Sequence, residues 1–301
     1  MEARVISLIG CDGATYNALD TALMESVVAG ESPPTLLFAE VKPTVSLGNS
    51  QSLSLDVNYD ECKRRGVDVV RRRSGGQVVY IDKGYLLFGL IAPRNIIPGD
   101  LSAIRESFSR VMADTLRWFG IPVEYRAPDN VVIAHGGHVK TLGNSGQVIS
   151  GSYVYLQGSI RYSLEDLPAI MDTLKINGHT LHPFEDEIAN ILGNVITYNP
   201  DITKKELQNA LVGNFAKAYG LNFAEGSLTN TETKRIADMS HPTEVSNRLQ
   251  DKPTYKSRGV CYFFVGGENL VPSSRIALDY SAPSTVADST VELGVVKIDR
   301  N

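Results

Sequence analysis

Val69 to Tyr85 reads VVRRRSGGQVVYIDKGY: three arginines and a Ser-Gly-Gly turn set between two apolar, β-like runs. Ser74, Gly75 and Gly76 can form a turn whose N–H groups point at an anion, because glycine frees the backbone to expose them. Arg71, Arg72 and Arg73 lie beside that turn. If the strand continues through them, Arg71 and Arg73 share one face and Arg72 takes the other. Guanidinium groups next to exposed amides suit a phosphate or carboxylate. The same residues are also compatible with a charged hairpin closed by glycine, and the stretch alone leaves both readings open.

Outward from this stretch the pattern alternates between strand and helix. Val5 to Ile9 reads as a strand and Asn17 to Val28 as a helix. Thr35 to Val41 and Thr44 to Leu47 read as strands split by Pro43. Asp56 to Arg65 reads as a helix ended by Gly66. Strands at Val67 to Val70 and Val78 to Ile81 flank the Ser-Gly-Gly turn, and Tyr85 to Ala92 is an apolar strand stopped by Pro93. Leu101 to Phe119 carries Ile104, Phe108, Val111 and Trp118 at helical spacing. Further strands are expected at 123–125, 130–134, 139–142, 148–156 and 160–162. Ser163 is expected to cap a helix running to about Lys175. Thr203 and Glu206 form a capping box with Ile202 and Leu207 as a staple, and a helix is expected from Glu232 to Arg248. This order predicts an α+β fold on mixed or antiparallel sheets, with a catalytic domain over 1–250 and a small β-rich C-terminal extension over 251–301.

The chain has 301 residues, 43% hydrophobic and 21% charged, enough for a sizeable core. A net charge of −5 argues against a general nucleic-acid binder. Cys11, Cys62 and Cys261 are isolated and show no CxxC spacing, so a disulfide framework or zinc site is not expected and a reducing cytoplasm is. No run approaches the roughly 18 apolar residues of a membrane span, so no membrane partner is expected. Neither GxGxxG nor GxxxxGK[ST] occurs, which removes the usual dinucleotide and P-loop sites. His135 and His138 in HGGH read as a turn between two strands.

Two more segments carry chemistry. Lys140 ends an apolar strand in VKTLGNSGQ and is followed by Gly143 and a Ser/Asn-rich loop. A lysine on a rigid strand beside such a loop can reach a phosphate or a carbonyl oxygen. In YLQGSI, Gly158 allows close backbone approach.

Taken in order, these blocks resemble the lipoate–protein ligase family, which is similar in fold to biotin–protein ligases and octanoyl transferases. An Asn-x-Ala-x-Asp-x-Ala-Leu block falls on Asn17, Ala18, Asp20, Ala22 and Leu23. A Pro-x-Val-x-x-Gly-x-x-Gln block falls on Pro43, Val45, Gly48 and Gln51. The Arg-Arg-x-Ser-Gly-Gly block is Arg71, Arg72, Ser74, Gly75 and Gly76. A Lys-x-x-Gly-x-Ser block is Lys140, Gly143 and Ser145, and the last block falls on Gln157, Gly158, Ser159 and Ile160. The chain departs from the family pattern at Gln77, where a third glycine is usual, at Ile81 and Tyr85, where histidine and asparagine are usual, and at Gln157, where histidine is usual.

The resemblance implies an ATP-dependent lipoate–protein ligase. Lipoate or octanoate would be activated as an acyl-adenylate and transferred to a lysine of a lipoyl carrier domain. Lys140 would be the catalytic lysine. Arg72, Ser74, Gly75, Gly76, Gln77, Tyr80, Gly143, Ser145 and Gly158 would bind nucleotide and substrate, and Asp129 would help hold Mg²⁺. The alternatives are an acyltransferase that moves octanoyl or lipoyl groups between carriers through a cysteine thioester, or a non-catalytic lipoyl-binding relative.

Overall fold

The apolar runs assemble into two main sheets. The structure, a computed structural model, describes residues 1–97, 99–127, 130–135, 137–176 and 178–250. The chain begins with β1 (Glu2–Cys11), α1 (Gly13–Val28), β2 (Thr35–Val41), β3 (Thr44–Leu47), α2 (Leu53–Asp56), α3 (Tyr59–Arg65), β4 (Asp68–Arg71), β5 (Val79–Ile81), β6 (Tyr85–Pro93) and α4 (Leu101–Trp118). It continues with β7 (Glu124–Arg126), β8 (Asn130–His135), β9 (His138–Ser150), β10 (Tyr153–Arg161), α5 (Leu167–Thr173), β11 (Lys175–Ile176), β12 (His179–Thr180), α6 (Glu185–Ile191), α7 (Val195–Tyr198), α8 (Lys204–Tyr219), β13 (Asn222–Glu225), α9 (Asn230–Ser240) and α10 (Pro242–Leu249).

An eight-stranded sheet runs β13-β1-β2-β6-β10-β9-β8-β7. β1 pairs parallel with β13 and β2, and the other pairs are antiparallel, so the mixed α+β architecture expected from the sequence is what forms. One face packs on α4 and α8, where Phe108 and Phe215 stack at 5.0 Å between centroids and Phe88 supplies the sheet side. The other face packs on α1, with Ile6, Leu19, Leu23, Leu37, Ile91 and Tyr155 in contact and Ile236 of α9 joining them. A second, smaller sheet runs β4-β3-β5 and shares a core with α3, α5, α6 and α10.

Several local expectations are corrected by the pairing. β4 and β5 do not pair with each other: each pairs with β3, one parallel and one antiparallel, so the Arg–Gly stretch is a crossover loop and not a hairpin. The helix expected from Asp56 to Arg65 is two short helices, because Val57 bridges Leu174 and Asn58 donates to the Thr173 carbonyl. Gly66 ends the second of them in the left-handed region, φ 67°. Ser163 does not cap α5. Its hydroxyl donates to Glu165, while the Asp166 side chain accepts from Ala169 N and Pro168 occupies the first turn. The helix expected over 232–248 is split into α9 and α10, because His241, before Pro242, is held extended at ψ 136°. The capping box at Thr203 and Glu206 forms as read, and Thr229 with Glu232 adds a second. His135 pairs with His138 across the β8–β9 hairpin. The extension expected over 251–301 lies outside the described residues.

Candidate active site

The Arg–Gly turn sits where β3 and β4 end together. Arg72 is the last backbone link, its N–H donating to the Leu47 carbonyl at 2.9 Å. Beyond it the chain folds back so that the Arg72 guanidinium is ringed by carbonyls: Ser46 O at 2.7 Å, Gly75 O at 2.9 Å and Gln77 O at 2.6 Å. Burial pulls Arg72 down to about 10, opposed at neutral pH by the negative charge of Asp20, and it stays charged there. Gly76 adopts φ +86°, open to glycine at little penalty, and its carbonyl lies against Gly48. Ser74 is buried and accepts the Asn49 N–H, while Gly75 and Gly76 are exposed. Gln77 does not stand free at the mouth, since its Oε1 accepts from Gln51 Nε2 at 3.0 Å.

The expected arginine alternation does not hold. β4 stops at Arg71, so Arg73 turns out to solvent. Arg71 is buried and points the other way, donating to the carbonyls of Gly48, Gln51, Arg248 and Leu249 and so tying α10 to this end of the small sheet. Tyr80 packs at 4% exposure in the small-sheet core with Val45, Cys62 and Met171.

The second half of the site lies on β9 and β10. The segment expected to be a loop after Lys140 is strand throughout: Gly143 pairs with Ile160 and Ser145 with Gly158. A continuous partner in β10 satisfies the backbone there, which outweighs the weak strand propensity of Gly, Asn and Ser. Gly143 and Gly158 are packing glycines. A Cβ on Gly158 would meet Phe88 at 2.5 Å, and one on Gly143 would meet the Ser159 carbonyl at 2.7 Å. Ser145 reaches Ser109 of α4 at 2.8 Å, on that same packed face.

The opposite face of β10 carries Gln157, Ser159 and Arg161 by alternation. Ser159 Oγ donates to Asn144 Oδ1 at 2.6 Å. Gln157 Nε2 donates to Asp20 Oδ2 at 3.3 Å, and Asp20 is the carboxylate whose field reaches Arg72. A polar seam therefore runs from the Arg–Gly turn through α1 to the middle of the large sheet. Asp20 is buried, and burial pushes its carboxyl up to about 6 against hydrogen bonds from Thr21 and the charges of Arg73 and Arg248.

Lys140 stands on β9 opposite Ile133, half-buried, with Nζ donating to the Ala189 carbonyl of α6 at 3.2 Å. Burial lowers its pKa from the ordinary lysine value. Asp129 lies outside the described residues. Among those described, no three or more His, Cys, Asp or Glu side chains gather as a metal site, and no helix is long and apolar enough to cross a membrane. Sequence reasoning gave no role to Asp20 or Arg161. The available signal for Arg161 was a lone charge inside an otherwise uncharged strand, YVYLQGSIR.

The family model described as the lipoyl protein ligase A/B catalytic domain matches residues 12–216. The chain is 29% identical to the octanoyltransferase LipM of Moorella thermoacetica over 256 residues, covering 76% of this chain and 90% of the relative. It is 26% identical to lipoate-protein ligase A subunit 1 of Thermoplasma acidophilum over 263 residues, covering 82% and 97%. The fold is similar to the bipartite lipoate protein ligase of Thermoplasma acidophilum, with TM-score 0.70, 22% identity and coverage of 84% of this chain and 99% of that one. It is also similar to a lipoate-protein ligase A bound with ATP, with TM-score 0.68, 21% identity and coverage of 83% and 100%.

Proposed function

This chain belongs to the lipoyl protein ligase A/B catalytic domain family, and from that membership we propose that it attaches an octanoyl or lipoyl group to a lysine of a lipoyl carrier domain. The observation that carries the reading is Lys140, rooted on a rigid strand with its ammonium held at Ala189. A fixed cation there stabilises the charge that develops on the acyl carbonyl oxygen as the carrier amine attacks. Gly75, Gly76 and Arg72 supply the anion-facing end, and the seam through Asp20 and Gln157 links that end to the large sheet. The apolar cover on both sides would exclude water from the activated acyl group.

Two routes deliver the acyl group. The name of the Moorella relative supports carrier-to-carrier transfer, the route the sequence reading held as its alternative. The other route is ATP-dependent ligation through an acyl-adenylate. Transfer through a thioester needs a reactive thiolate; Cys261 lies outside the described residues, and the two described thiols are held protonated. Cys62 is fully buried and pushed up to about 12, first by burial. Cys11 is pushed up to about 11 by burial and by Asp12. In the ligation route, the Gly75–Gly76 amides would hold the phosphate of the adenylate, and Arg72, whose own N–H groups go to the Ser46, Gly75 and Gln77 carbonyls, would add its charge from behind the turn. ATP would supply the activation and Mg²⁺ would offset phosphate charge. The 251–301 extension would be a separate unit from the 1–250 catalytic domain.

One assay separates the routes. A lipoyl carrier domain is weighed by mass spectrometry after incubation either with an octanoyl-loaded carrier or with free lipoate, ATP and Mg²⁺. Mass gain in the first arm alone establishes transfer, and gain in the second establishes ligation. No gain in either arm overturns the proposal. Lys140→Ala should remove the gain in whichever arm shows it.

A further inference from the structure

Arg161 is a buried guanidinium, 3% exposed, at the end of β10. Its four hydrogen bonds all go to uncharged acceptors. Nε and Nη2 donate to the Tyr85 hydroxyl at 3.0 and 2.7 Å, and Nη1 donates to the Thr141 and Gly193 carbonyls, each at 3.0 Å. Among the described residues no carboxylate pairs with it. A buried charge held only by neutral oxygens is an expensive way to close a core, where an apolar side chain of similar volume would serve. The arrangement calls for a reason beyond packing.

The reason lies in what the two carbonyls flank. Thr141 follows Lys140 directly on β9. Gly193 lies flat across the same strand: a Cβ there would meet Lys140 Cβ at 3.1 Å and Leu142 Cδ1 at 2.6 Å. The Thr141 carbonyl also accepts the Gly193 N–H at 3.0 Å, and Leu192 bridges Thr141 in parallel. The segment after α6 is thus laid on Lys140 at its root, while Ala189 of α6 takes the ammonium at its tip. Arg161 pins both sides of this clamp through one nitrogen.

We infer that Arg161, braced by Tyr85, is a positioning residue for Lys140. It acts through the Thr141 and Gly193 carbonyls and touches no substrate. A free lysine side chain loses rotamer freedom when fixed, and the clamp meets that loss before substrate arrives. The inference also accounts for Tyr85, which stands where the resembling family has asparagine. Tyr85 pairs with Arg161 across β6 and β10 in register, and its ring lies 5.1 Å from the guanidinium carbon. Tyr85 and Arg161 form one unit.

The inference rests on Lys140 being the catalytic lysine, and the test separates the two claims. Steady-state transfer to the carrier is measured for wild type, Lys140→Ala, Arg161→Met and Tyr85→Phe, with melting temperature followed in parallel. Arg161→Met should lower kcat about 10- to 100-fold, the range for ångström-scale misplacement of a catalytic group, with KM for the carrier within about twofold. Tyr85→Phe removes one oxygen and leaves the carbonyl contacts, so it should lower kcat by a smaller factor, with a fall in melting temperature because Arg161 Nε and Nη2 lose their acceptor. The inference is overturned if Tyr85→Phe keeps full kcat and Arg161→Met loses activity only in proportion to its unfolded fraction. If Lys140→Ala itself stays active, the catalytic assignment fails, whatever Arg161 does.

Discussion

Replacing Gly48 with alanine should displace the Arg–Gly turn and leave the packed cores intact. The new Cβ would stand 2.0 Å from the Gly76 carbonyl oxygen, which is backbone, and 3.3 Å from Gln51 Oε1. Relaxed contacts lie near 3.5 Å, so the two segments must part by about 1 Å or more. The β3 side cannot yield readily. Leu47 is in register with Arg71, and Gly48 both accepts from Arg71 Nη1 at 3.2 Å and donates to Gln51 Oε1 at 3.2 Å. The exposed turn moves instead, and the Arg72 bonds to Gly75 O and Gln77 O open with it. Overpacking of this kind costs about 1–3 kcal/mol, or a fall in melting temperature of roughly 2–12 °C for a chain of this size. A 1 Å shift of a substrate-holding element costs about 100-fold in rate. The assay is the initial rate of carrier mass gain, with calorimetry on the same samples. Gly75→Ala is the control, because a Cβ there meets nothing within 4 Å. If Gly48→Ala is folded and transfers within twofold of wild type, the turn does not hold the substrate.

Two further predictions concern buried carboxylates of opposite behaviour. Glu232 is fully buried beside Arg4. Burial alone would raise it, but hydrogen bonds from Arg4, Thr229 N and Ser32 bring it down to about 2. Its contribution, about 3 kcal/mol, is therefore present above the unfolded value near 4.5 and lost as pH falls toward 2. Glu232→Gln should flatten the acid limb of the stability curve by urea denaturation at pH 3 to 7, and an unchanged limb refutes the role. Asp20 is raised to about 6, so its contribution is present below the unfolded value near 3.8 and lost as pH rises through 6. Asp20→Asn should raise the melting temperature at pH 8 relative to wild type and should do so less at pH 4.5. An equal shift at both pH values contradicts the assignment.

The capping box at Thr203 and Glu206 and the helix end at Gly66 were legible because each depends on residues within three or four positions of one another. The strands Thr35 to Val41 and Thr44 to Leu47 were read to the residue, since each is bounded by local breakers. What failed was non-local. The Arg–Gly stretch looks like a hairpin because its two runs are near in sequence, yet both find a better partner in β3, a pairing no local pattern encodes. The Gly143 to Ser145 segment reads as a loop by composition and becomes strand because β10 lies beside it.

By itself, then, the sequence determined the fold class and the order of the chemical blocks, because periodicity, caps and turn chemistry act over short distances. It placed Arg72, Gly76 and Lys140 among the candidates. Only the tertiary structure decided which side chains work together. Asp20 meets Gln157 across 137 positions and Arg161 meets Tyr85 across 76, contacts that exist because sheet pairing and helix packing bring distant strands onto one face. It also divided the glycines. Gly158 and Gly143 make room for core side chains and backbone, while Gly48 and Gly193 let one backbone lie on another beside the Arg–Gly turn and Lys140.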